Sequence, residues 1–111
     1  MKEIKAFVHR NRVADILHAL KGAALCGPEC NLSVIDVKGT LEALDNLERD
    51  YSLELGVTVI TEVKLELVLP DERVDEAVAL IREHGRTGQA HAGWVFVSGV
   101  EGAWPIDEVQ G

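Results

Sequence analysis

The chain has 111 residues, 47 % of them hydrophobic, which is enough for one packed core and too little length for two, so residues 1–111 are expected to form a single domain. Nineteen acidic residues against eleven basic ones give a net charge of −8 with no lysine or arginine stripe, which excludes a nucleic acid as the expected partner. No apolar run approaches the roughly 20 residues of a membrane span, and Met1-Lys2-Glu3-Ile4-Lys5 runs straight into a strand pattern instead of a signal-peptide core, so a cytoplasmic protein without membrane insertion is expected.

In Lys2 to His9, Ile4, Ala6 and Val8 share one side and Glu3, Lys5, Phe7 and His9 the other, the period of a strand. Asn11 is a suitable cap for a helix whose Val13, Ile16, Leu17 and Leu20 form an apolar stripe, with Arg12, Asp15, His18 and Lys21 left for solvent and Gly22 closing it. Cys26-Gly27-Pro28-Glu29-Cys30 reads as a turn, and Leu32 to Val37, rich in branched side chains, reads as a second strand ending near Lys38-Gly39-Thr40. Leu41 to about Gly56 has scattered leucines among Glu42, Asp45, Glu48, Asp50 and Glu54. It is expected as a mobile acidic loop or a short fraying helix, and a loop of that length in a compact domain usually serves a function.

A third strand runs from Val57 to Leu69, where Leu65, Leu67 and Leu69 alternate with Lys64, Glu66 and Val68 until Pro70 stops it. Asp71 is placed to cap a second helix with Val74, Ala77, Val78 and Ile81 on one face. Arg82 and His84 complement its carbonyl end, Gly85 is expected as a left-handed cap, and Arg86-Thr87-Gly88 stands exposed at the exit. Trp94 to Ser98 supplies the fourth strand.

The order β-α-β-β-α-β predicts an α+β, ferredoxin-like fold with both helices on one face of an antiparallel sheet. Phe7, Trp94 and Phe96 then fall on a second face too apolar for water, which predicts self-association through the sheet.

These stretches resemble the PII signal-transduction family: Met1-Lys2-Glu3-Ile4 its opening, Val37-Lys38-Gly39 the end of its second strand, and Lys64 to Asp71 its third. Arg86-Thr87-Gly88, followed by Gly93-Trp94-Val95-Phe96-Val97-Ser98-Gly99-Val100-Glu101, is similar to its nucleotide loop and last strand. The resemblance implies a homotrimer that binds an adenine nucleotide, AMP, ADP or ATP, between subunits and docks onto a transporter or enzyme through the loop after the second strand. It implies a ligand site at Gly39, Thr40, Arg86, Thr87, Gly88, Gln89, His91 and Gly93.

The departures narrow the ligand. Gln89 and Trp94 stand where the family has lysines, and Pro105 and Asp107 where it has arginines, so four cations suited to a triphosphate are missing. AMP or ADP is expected over ATP, with bicarbonate or another small anion as co-ligand by analogy with PII-like proteins linked to bicarbonate uptake. The docking loop is shorter than in the nitrogen regulators, and Tyr51 has no secure match to the family's modified tyrosine.

Two alternatives stay open beside the nucleotide sensor. Cys26 and Cys30 flank a short turn that either is structural or brings two thiols together as a reversible disulfide or half of a soft-metal site. With His91 they make a trimeric metal-binding or metal-tolerance protein the second reading, and a scaffold without a ligand the third. His9, His18 and His84 are dispersed, and His18 and His84 read as solvent-facing. Ser33, Ser52 and Ser98 lack a nucleophile elbow and the carboxylates are spread out, so no enzyme is expected.

Overall fold

The structure is a computed structural model in which residues 1–25, 31–44 and 49–107 are described. The period-two rows do what their alternation dictates. In β1 (Lys2–Val8), Ile4, Ala6 and Val8 are buried, and they lie opposite Leu67, Leu65 and Val63 of β4 (Val57–Leu69). β2 (Ser33–Gly39) pairs with the other edge of β4 and β5 (Trp94–Gly99) with β1, giving the antiparallel order β2-β4-β1-β5.

The apolar stripes of α1 (Val13–Gly22) and α2 (Asp71–His84) close over one face of this sheet. Ile16 and Leu20 from the first, with Val74, Ala77 and Ile81 from the second, share one core with the strand row and Leu25. Each fully buried valine, leucine or isoleucine among them contributes about 1.5–3 kcal/mol relative to exposure. The arrangement is ferredoxin-like, β-α-β-β-α-β with two helices on one sheet face, as the periodicities predict.

The other face keeps its aromatics. Phe7 and Phe96 meet edge to face at 6.0 Å, Phe96 stacks on Trp94 at 6.2 Å, and Trp94 and Phe96 are each about half exposed. Between them and β2 run the ion pairs Glu3 with Lys5 and Lys64 with Glu66.

Five local expectations change. The Leu41–Gly56 stretch contains a strand: β3 (Asp50–Ser52) pairs with Val57–Val59, so the second half of the loop is a β-arm turning at residues 53–56, with Gly56 at φ 71°. Asn11 does not cap α1, because Arg10–Arg12 form a 3-10 turn whose Arg12 N–H donates to the His9 carbonyl, and the helix begins only at Val13. His9, expected on the open side of the strand, is buried, since the strand alternation ends at Val8 where the chain folds into that turn.

Gly85 is not left-handed. It sits at φ −84° and donates to the Ile81 carbonyl, and the left-handed residue comes three positions later, Gly88 at φ 90°. Asp71 is the first residue of α2 and not its cap: Pro70 takes that position in an extended conformation. The Asp71 carboxylate instead accepts from the Met1 terminal ammonium at 2.5 Å, and this hydrogen bond and charge hold the carboxyl below its ordinary pKa.

The end of α1 carries strain that can be relieved. Leu25 N–H donates to the Leu20 carbonyl and Ala24 N–H to the Lys21 carbonyl, the two bonds of a Schellman cap, with the buried Leu25 and Leu20 as its apolar contact. The left-handed position, φ 57°, is held by Ala24, where a Cβ costs about 1–2 kcal/mol. Ala24→Gly is therefore expected to raise stability by about 1 kcal/mol in urea unfolding with an unchanged m-value. A loss of stability would show that Ala24 makes a contact worth more than its strain.

Candidate functional site

Beyond α2 the chain has to return to β1 to start β5, and residues 85–93 make that return over the open end of the helix layer. The result is a cleft of about 530 Å³, within the usual range of small-molecule sites. Val8, Val78, Ile81 and Val95 form its apolar floor. Arg82, Arg86, Gly88, Gln89, His91, Gly93 and Trp94 supply the rim and walls.

Gly93 is required where the return meets the sheet, since any Cβ there would overlap the Phe7 carbonyl oxygen. His91 stacks on Trp94 with ring centroids 6.0 Å apart and 18° between planes, so a flat His91-Trp94-Phe96 ladder leads from the cleft onto the open sheet face.

The base of the loop that leaves β2 lies beside this cleft without lining it. Gln89 joins the two. Its side-chain N–H group donates to the Glu42 carbonyl at 2.9 Å and to the Ala43 carbonyl at 3.3 Å, while its carbonyl oxygen accepts from the Thr87 hydroxyl at 2.7 Å. From the sheet side the loop base is held by Glu62, a buried carboxylate that accepts the Leu41 N–H at 2.8 Å. Glu62 fits only because the residue above it is glycine: a Cβ on Gly39 would fall inside its carboxylate.

Five of the residues expected at a ligand site, Arg86, Gly88, Gln89, His91 and Gly93, therefore line one cleft. Thr87 supports it through Gln89, and Gly39 and Thr40 lie at the neighbouring loop base held by Glu62 and Gln89. Trp104, which is 85 % exposed, does not line the cleft. Cys26 and Cys30 lie outside the described residues, as do 45–48 and 108–111. Among the described residues no group of three His, Cys, Asp or Glu side chains could hold a metal ion.

Arg82 and Glu62 have roles that the sequence hides. Arg82 reads as a helix-end cation, although its four-residue spacing to Arg86 is the signal that both reach one place. Glu62 reads as an ordinary outward residue of an alternating strand.

The fold defines the class, a ferredoxin-like α+β protein with an apolar-floored cleft at the helix exit and a β-arm beside it. The family model "Nitrogen regulatory protein P-II" matches residues 1–108. Among curated proteins, the nitrogen regulatory protein P-II of Rhodobacter capsulatus is 36 % identical over 103 residues, covering 93 % of this chain and 88 % of that protein. That of Haemophilus influenzae is 31 % identical over the same shares. The nitrogen regulatory protein P-II 2 of Methanothermobacter thermautotrophicus is 32 % identical over 91 % of this chain and 84 % of its own length. The chain belongs to the P-II family, and its role is regulatory, not catalytic.

Proposed function

We propose that this chain is a cytoplasmic homotrimeric sensor that binds AMP or ADP in clefts between subunits and controls a transporter or enzyme through the loop after β2. Bicarbonate or a similar small anion is a co-ligand. The observation that carries the reading is Gln89: one side chain ties the ligand loop to the base of the docking loop.

The mechanism follows from that joint. A ligand seated in the cleft touches residues 86–93, and any shift of Gln89 alters its two bonds to the backbone carbonyls of Glu42 and Ala43. Two neutral hydrogen bonds are worth about 1–3 kcal/mol together. That is the size of coupling that changes a partner's affinity roughly 5–150-fold. The His91-Trp94 stack offers a flat apolar surface for an adenine ring, and Arg86 a charged fork for its phosphate. The aromatic face of Phe7, Trp94 and Phe96 supports self-association, because a patch of that kind is costly in water.

The Leu41 amide is the probe of this coupling, since its hydrogen bond to Glu62 closes the loop base. Nucleotide binding is expected to change hydrogen exchange at Leu41 in the wild-type protein. In Gln89→Ala, exchange at Leu41 is expected to be faster by about tenfold at rest, with the nucleotide response lost while binding itself changes only a few-fold. Exchange at Leu41 that is the same in both proteins, with and without nucleotide, would remove the joint from the mechanism. Sedimentation equilibrium tests the trimer, and a monomer at micromolar concentration would contradict it.

A further inference from the structure

We infer that Arg82, not Arg86 alone, holds the ligand's anionic group, and that the two guanidinium groups together select a single phosphate monoester. This rests on the nucleotide reading above for the adenine, though not for the phosphate. Both arginines line the 530 Å³ cleft, and both also line the adjoining hollow of about 390 Å³, shared with Ala79 and Glu83. They stand between the two concavities and can be reached from each.

Among the described residues their charges are uncommitted. Arg10 pairs with Asp36 at 2.6 Å, Arg12 with Asp15 at 3.4 Å and Arg73 with Glu76 at 3.1 Å. Among the described residues Arg82 and Arg86 enter no such ion pair, and both are exposed. In a chain of net charge −8, two guanidinium groups that line one cleft and pair with no carboxylate among the described residues form a local reversal of sign there, with Glu83 only in the adjoining hollow. The carbonyl end of α2 favours cations there and would repel an anion resting on the backbone itself, so the anion must be gripped by side chains.

The charges also set the ligand. Two guanidinium forks balance one phosphate monoester, which carries about two negative charges near neutral pH. Each further phosphate adds charge for which the described residues lining the cleft offer no third arginine or lysine: Gln89 spends its donors on the Glu42 and Ala43 carbonyls, and Trp94 presents an aromatic face. The order of affinity is AMP, then ADP, then ATP. Arg82 is thus a specificity-determining residue at a position where the sequence shows only a helix end.

The test is isothermal titration of the full chain and of Arg82→Ala, Arg82→Lys and Arg86→Ala with AMP, ATP and ribose 5-phosphate, at two salt concentrations. Arg82 is exposed at the end of its helix, so the variants fold, which circular dichroism checks. Expected for Arg82→Ala is a tenfold or greater loss of AMP affinity and a smaller salt dependence, with partial rescue by lysine. AMP binding that is unchanged in Arg82→Ala and lost in Arg86→Ala overturns the role of Arg82 and leaves the nucleotide sensor standing. Binding of ribose 5-phosphate that depends on Arg82, without any preference for AMP, keeps the phosphate grip and removes the adenine. A wild-type protein that binds neither compound overturns both.

Discussion

Gly93→Ala is expected to cost about 2–3 kcal/mol, the upper part of the range for forced overpacking. The reason is the partner of the added methyl group. A Cβ on Gly93 would overlap the Phe7 carbonyl oxygen and crowd the Phe7 carbonyl carbon, both of them backbone of β1, while meeting the Val8 Cα at ordinary contact. β1 lies between β4 and β5 and carries Ile4, Ala6 and Val8 into the core, so it cannot move aside without opening both ladders. The remaining outlet is for β5 to start late, which pulls Trp94 off its pairing with Phe7 and deforms the cleft. For a chain of this length the melting temperature falls by roughly 10 °C. Gly99→Ala is the control, because a Cβ there meets nothing, and it is expected to be near neutral in the same melting experiment. Equal melting temperatures for the two variants would show that the close approach of Gly93 to β1 is not rigid.

Arg86→Ala is expected to weaken AMP binding by roughly 10- to 100-fold, the worth of one or two charge-assisted hydrogen bonds at about 1.5–3 kcal/mol. Arg86 is exposed and is not part of the hydrophobic core, so the melting temperature without ligand should move by less than 2 °C, about 0.5 kcal/mol. That pairing of results separates a ligand contact from a structural role. Titration with AMP beside a melting curve without it makes the comparison. An unchanged affinity would place the phosphate elsewhere, whereas a collapse of the unliganded protein would make Arg86 a structural residue of the helix exit.

The elements legible in the sequence are those with an uninterrupted period. Residues 63–69 of β4 and the core face of α2 follow the rows that alternation, helical spacing and the Pro70 break assign to them, because each buries a regular row against the same core. The β-arm was hidden for the opposite reason. Tyr51, Leu53, Leu55 and Val57 are all exposed, so no buried row imposes a pattern, and β3 is only three residues long. Caps depart from local preference where a tertiary contact competes for the capping side chain, as when Asp71 accepts from the Met1 amine instead of its own helix end.

The candidate site divides along the same line. Glycines and Arg86 in the return between α2 and β5 were readable as turn chemistry and as a family resemblance. The bonds that turn the return into a joint were not. Gln89 reaches backbone carbonyls 46 and 47 residues away, and backbone acceptors leave no trace in side-chain identity. Glu62 is buried by the absence of a side chain on Gly39, a dependence between strands that neither residue announces.

The most direct test of the sensor account is a thermal-shift comparison of the reduced protein with AMP, ADP, ATP, bicarbonate and Zn²⁺, since a ligand at 100 times its Kd adds about 2.7 kcal/mol. The account predicts stabilisation by AMP and ADP, larger than by ATP, and its loss in Arg86→Ala. Stabilisation by Zn²⁺ alone, abolished in Cys26→Ser, would contradict it and make this chain a metal-binding member of its family.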